Sequence, residues 1–159
     1  MAEKFRVVFN SPQSGFMSLG LRSGRQEFST AVACGPYASL EELIACLTAL
    51  ARGEAGAAVV RWNCEPDELD FSFESAGDEL RLEVFYYATH ARDAGSRRRV
   101  FAAAGARGEV CGEFLHALEG LRRDREVDVF ESNWRRAFPE RELAELSRAV
   151  GAVAGNDGR

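Results

Sequence analysis

Residues 67–87, DELDFSFESAGDELRLEVFYY, decide the fold. Leu69, Phe71 and Phe73 alternate with Glu68, Asp70, Ser72 and Glu74, the period of a β-strand with one apolar face. Leu80, Leu82, Val84 and Tyr86 then alternate with Arg81, Glu83, Phe85 and Tyr87. A Gly77-Asp78 turn of the Gly-X kind joins the two runs and sets their register. Phe73 falls opposite Leu82, Phe71 opposite Val84 and Leu69 opposite Tyr86. On the other face Glu74 meets Arg81, Ser72 meets Glu83, Asp70 meets Phe85 and Glu68 meets Tyr87. Apolar meets apolar and polar meets polar, as a stable strand pair requires.

Working outward, the same period recurs. Phe5, Val7 and Phe9 mark a first strand, Met17, Leu19 and Leu21 a second, and Phe28, Thr30 and Val32 a third. A Ser23-Gly24 turn would place Leu19 opposite Phe28 and Met17 opposite Thr30. AAVVRWNC (57–64) and RRRVFAAAG (97–105) add two strands around the central pair. Between the third and fourth strands the period becomes helical. Leu40, Leu43, Ile44, Leu47 and Leu50 form one stripe. Ser39 and Glu42 have capping-box spacing, and Gly53 stands where a C-terminal cap belongs. From Arg107 onward Val110, Cys111, Phe114, Leu115, Leu118 and Leu121 are helically spaced. FPERELAELSRAVGAV (138–153) makes a final helix, with Pro139 near its first turn. Val127, Phe130 and Trp134 are the apolar residues of the charged segment between them.

The expected fold is therefore α+β: one mostly antiparallel sheet of six to seven strands with helices packed on one face, in the order βββ-α-ββββ-α-α. With 159 residues the chain suits a single domain, taken as 1–154 with a flexible tail at 155–159. No apolar run approaches a membrane span, and the N-terminus lacks the apolar region of a secretory signal. A cytoplasmic protein with no membrane association is the expectation.

The charge is concentrated. Residues 65–83 carry eight carboxylates and one base, Arg81, against a whole-chain net charge of −5. The rest of the chain thus sums to +2, and this segment disfavours nucleic acid as a partner. No catalytic, metal or cofactor site is legible. The four cysteines are far apart, with no CxxC, and neither His90 nor His116 sits in a catalytic or ligand spacing. EPDELD (65–70) lacks the spacing of a calcium loop. Arg97, Arg98 and Arg99 are assigned to pairing with the acidic neighbouring strand rather than to phosphate.

The candidate site is instead the polar face of the central strand pair: Glu68, Asp70, Glu74, Glu83, Phe85 and Tyr87. Carboxylates steer a basic partner and aromatics anchor it. Two other fates stay open for this face: solvent, or cover by the chain's own C-terminal helices.

Size, the acid-plus-aromatic strand pair 68–87 and the ending WRRAFPERELAEL (134–146) together resemble small bacterial immunity proteins of interbacterial toxin systems. That resemblance implies a non-enzymatic inhibitor, without cofactor, that covers one cognate toxin, a basic nuclease domain being the favoured partner. A homodimer is a further expectation. The alternatives are a secretion chaperone, disfavoured because the chain opens on a strand, and a small-molecule-binding or enzymatic α+β domain. The last needs a polar pocket between sheet and helix.

Overall fold

The computed structural model describes residues 4–157, with side chains through Val153. Among the described residues the strands follow the expected order, and a short helix, α3, is added between the two expected C-terminal helices: β1 (Phe5–Phe9), β2 (Phe16–Ser23), β3 (Gln26–Ala33), α1 (Ser39–Ala51), β4 (Ala57–Asn63), β5 (Glu68–Ala76), β6 (Glu79–Tyr87), β7 (Arg98–Ala106), α2 (Arg107–Asp124), α3 (Phe130–Trp134) and α4 (Glu140–Asp157). The last helix reaches Asp157, so the backbone of 155–157, assigned above to a tail, is helical; Gly158 and Arg159 lie outside the described residues.

The strands form two antiparallel sheets, β1-β2-β3 and β4-β5-β6-β7, rather than the single sheet expected. The β5–β6 register is the one that the alternation and the Gly77 turn dictate, pair by pair. Gly77 has φ +60°, a conformation that costs glycine little. The β2–β3 register differs from expectation by two residues. Leu19 faces Thr30 and Leu21 faces Phe28, because Gly24, with φ +58°, opens the turn and Ser23 pairs with Gln26. A slip of two preserves which side chains face inward, so alternation alone cannot detect it.

Between the sheets the backbone ladder stops and a side chain takes over. The Gln26 amide donates to the Ala102 carbonyl (3.1 Å) and accepts from the Ala102 N–H (3.2 Å), standing in for a strand residue beside β7. The two sheets nevertheless share one core. Phe114 of α2 sits at their junction, 5.6 Å from the Phe5 ring on one side and 6.5 and 5.8 Å from Phe71 and Phe73 on the other. Each such fully buried ring is worth about 1.5–3 kcal/mol of transfer free energy.

All five leucine and isoleucine residues of the α1 stripe are fully buried. The capping box does not form. Ser39 is buried and its hydroxyl donates to the Arg61 carbonyl of β4, tying helix to sheet, while the first turn is closed by Glu42 N–H to Ala38 O (2.9 Å). The C-terminus does end as expected. Gly53, with φ +72°, bonds Leu50 O (3.1 Å) and Glu54 bonds Ala49 O (2.9 Å), a complete Schellman motif.

Phe130, Trp134 and Phe138 pack on one another, with rings 5.2 and 6.4 Å apart, and α3 lies against β2. They are thus remote from the polar face of β5 and β6. Val127, the third apolar residue of this segment, is 85% exposed.

Candidate functional site

The outer face of the four-stranded sheet is built by the outward residues of β4 to β7. Two further segments join it: Tyr37, just before α1, and the loop 88–97. No helix covers it among the described residues; α1 and α2 pack on the inner side and α4 on those helices. This removes one of the three fates open to Phe85 and Tyr87.

The six candidate residues divide by depth. Glu68, placed on an open face by the alternation, is only 1% exposed, and Tyr87 is 8% exposed. Asp70, Glu83 and Phe85 are half-buried, and Glu74 alone is fully exposed. The burial of Glu68 corrects the expectation of a solvated carboxylate. Its cause is a cover of arginines and tyrosines that strand periodicity does not reveal.

Arg92 is the centre of that cover. Its Nε donates to Glu68 Oε1 (2.7 Å), one terminal nitrogen pairs with Asp70 Oδ1, and the other donates to the Leu69 carbonyl (3.3 Å). The Tyr37 hydroxyl donates to both Glu68 oxygens at 2.8 and 3.1 Å, so the buried carboxylate has three close contacts. Tyr87 donates to Asp70 Oδ2 (3.2 Å), and Arg97 Nε donates to the Tyr87 hydroxyl (3.1 Å). Burial alone would lower the Arg92 pKa, but the hydrogen bond and charge of Asp70, with Glu68 and Tyr37 behind them, raise it above its ordinary value. Arg92 is charged at every physiological pH. It takes up this position with φ +55°, an unfavourable backbone conformation for arginine.

Aromatic rings carry the remaining guanidinium groups. Arg61 lies 4.3 Å from the Tyr37 ring centre, Arg92 5.0 Å from Tyr87 and Arg97 3.6 Å from Phe85. Arg99 pairs with Glu83 (3.0 Å), the cross-strand pairing expected of the arginine run, while Arg98 turns to the other side and lies 4.6 Å from Tyr86. A continuous chain of contacts thus runs from Arg61 through Tyr37, Glu68, Arg92, Asp70 and Tyr87 to Arg97. None of Tyr37, Arg61 or Arg92 was among the candidate residues. Tyr37 and Arg92 lie 31 and 24 residues from Glu68 in sequence, and no local pattern joins them.

Other sites offer less. A surface groove of about 760 Å³ lies over β1–β3 and is lined by Arg6, Gly20, Arg22, Glu113 and His116 among others. A cleft of about 480 Å³ lies beside the arginine cluster, between Pro36, Tyr37, Glu65, Pro66, Glu68 and His90. Another of about 480 Å³ lies where β1, β7 and α2 meet, lined by Lys4, Phe5, Gly105, Glu109 and Glu113 among others. No cluster of three or more metal-ligating side chains occurs among the described residues. Buried polar atoms without partners, Glu41 Oε2, Trp62 Nε1, Arg107 Nε and Trp134 Nε1, belong to four different elements. Burial raises the thiols of Cys46 to about 11 and of Cys64 and Cys111 to about 12, which removes nucleophilic thiolate at neutral pH. No helix among the described residues is long and apolar enough to cross a membrane.

No family model, curated protein or solved structure matches this chain.

Proposed function

We propose that this chain is a non-enzymatic protein-binding domain and that it docks through the outer face of the four-stranded sheet. The observation that carries the proposal is Phe85. It is a large, half-buried aromatic on a face that no helix covers among the described residues, with the Arg97 guanidinium 3.6 Å from its ring centre. Arginine, tyrosine and phenylalanine gathered on an uncovered sheet face are residue types enriched at protein interfaces. An immunity protein that covers a cognate toxin is the biological form we infer, from the resemblance noted above. The face does not supply a bare acidic field for such a partner. Glu68 and Asp70 are spent on Arg92, and Glu83 on Arg99.

An enzymatic reading finds less support. None of the clefts described lies beneath α1, where the sheet–helix boundary is filled by Leu40, Leu43, Ile44, Leu47 and Leu50. The test is capture by immobilised protein from the strain that encodes it, run in parallel with wild type and Phe85→Glu. A protein retained by wild type and lost by the variant, whose fold is checked by circular dichroism, supports the proposal. Equal retention by both overturns the assignment of the face.

A further inference from the structure

We propose that the outer sheet face recognises carboxylates, so that the partner presents an acidic segment to Arg61 and Arg97. This deepens the protein-binding reading and rests on it. Three guanidinium groups, Arg61, Arg92 and Arg97, are linked through Tyr37 and Tyr87. Arg92 engages two carboxylates, Glu68 and Asp70. Among the described residues neither Arg61 nor Arg97 forms an ion pair, and both are exposed.

These two arginines are also held in place. Arg61 lies over Tyr37, whose hydroxyl is anchored by Glu68, and Arg97 is fixed by the Phe85 ring and the Tyr87 hydroxyl. Arg97 Nε is spent on Tyr87, but in each stack the two terminal nitrogens make no hydrogen bond among the described residues, which leaves them for N–H···O bonds to a carboxylate. Because the stack already restricts the side chain, less conformational entropy remains to be lost on binding. The acidic segment 65–83 thus changes role. Three of its eight carboxylates, Glu68, Asp70 and Glu83, act as internal counter-ions that position cations, and Arg61 and Arg97 stand beside them as exposed cations without an ion pair among the described residues. A polynucleotide also presents anions, but the chain's net charge of −5 repels a long polyanion more than a short acidic segment.

The experiment titrates the folded protein with end-blocked oligoglutamate, oligolysine and oligothymidylate and follows backbone amide shifts by NMR. The expected result is that oligoglutamate shifts the amides of β4, β6 and the 88–97 loop. Arg61→Gln and Arg97→Gln should each weaken that binding by roughly tenfold, the worth of one charge-assisted hydrogen bond. Arg25→Gln, in the distant β2–β3 turn, serves as the control and should leave it unchanged. Arg61→Lys and Arg97→Lys should each keep only part of the affinity, since an ammonium keeps charge without the planar fork. Preference for oligolysine, preference for oligothymidylate, or oligoglutamate binding that ignores Arg61 and Arg97 would each overturn the inference. None of these outcomes touches the Phe85 capture experiment, so the two proposals fail separately.

Discussion

Val129 shows what a single residue discloses. It is a β-branched side chain at φ +48°, ψ +53°, in the left-handed region, and its side chain is 56% exposed. The conformation is enforced around it: Phe130 N–H bonds Arg125 O (2.8 Å), and the Asn133 side chain bonds Asp128 O (3.0 Å). A left-handed L-residue costs about 1–2 kcal/mol, more than the backbone entropy that glycine would add. Val129→Gly is therefore expected to stabilise the fold by about 1 kcal/mol in urea unfolding, because little buried surface is lost. A destabilised variant would show that the valine contributes packing instead. Glu68 is the opposite case. Its surroundings justify it fully, yet nothing adjacent to it in sequence hinted at burial. Periodicity reports which face a side chain takes, and it is silent on what a loop from 24 residues away lays over that face.

At the scale of elements, alternation and turn chemistry carried well where both were strong. The β5–β6 pair has strict alternation and one glycine positioned for a two-residue turn, so strands, faces and register were all legible. In the β2–β3 pair Ser23-Gly24 and Gly24-Arg25 compete for the turn, and either one buries the same side chains. The α1 cap was misread for a related reason. Ser39 has two outlets for its hydroxyl, and the Arg61 carbonyl, invisible to a local pattern, takes it. The division into two sheets was not legible, because it depends on Gln26 replacing a backbone ladder. Gln26→Ala should remove both bonds to Ala102, accelerate exchange of the Ala102 amide several-fold and cost about 1 kcal/mol or less at this exposed position. An unchanged exchange rate at Ala102 would mean that the seam is held by packing alone.

For the whole molecule, a shared core under two sheets implies cooperative unfolding that exposes every cysteine together. Burial holds the Cys46, Cys64 and Cys111 thiols at about 11, 12 and 12, against 9.0 for an unperturbed thiol. The unfolded chain then releases these protons first as pH rises. Stability from this source is complete below pH 9.0 and declines between there and about 12, so urea midpoints should be flat near neutrality and fall in alkali. Serine in place of the three cysteines should flatten much of that fall; an alkaline limb of unchanged slope would assign it to other groups.

The same scale decides what the concentrated acidity is for. Residues 65–83 look like an acidic surface when only their sequence is counted, but three of their carboxylates, Glu68, Asp70 and Glu83, are counter-ions to Arg92 and Arg99. A double-mutant cycle on Glu68→Gln and Arg92→Gln, followed by urea unfolding, measures this directly. Arg92→Gln alone should cost about 3 kcal/mol, since it leaves a buried carboxylate uncompensated. Adding Glu68→Gln should recover part of that loss, with a coupling of about 1–3 kcal/mol. Strictly additive effects, with Arg92→Gln costing no more than an exposed substitution, would contradict the account and return Glu68 and Asp70 to the surface as partner-binding acids.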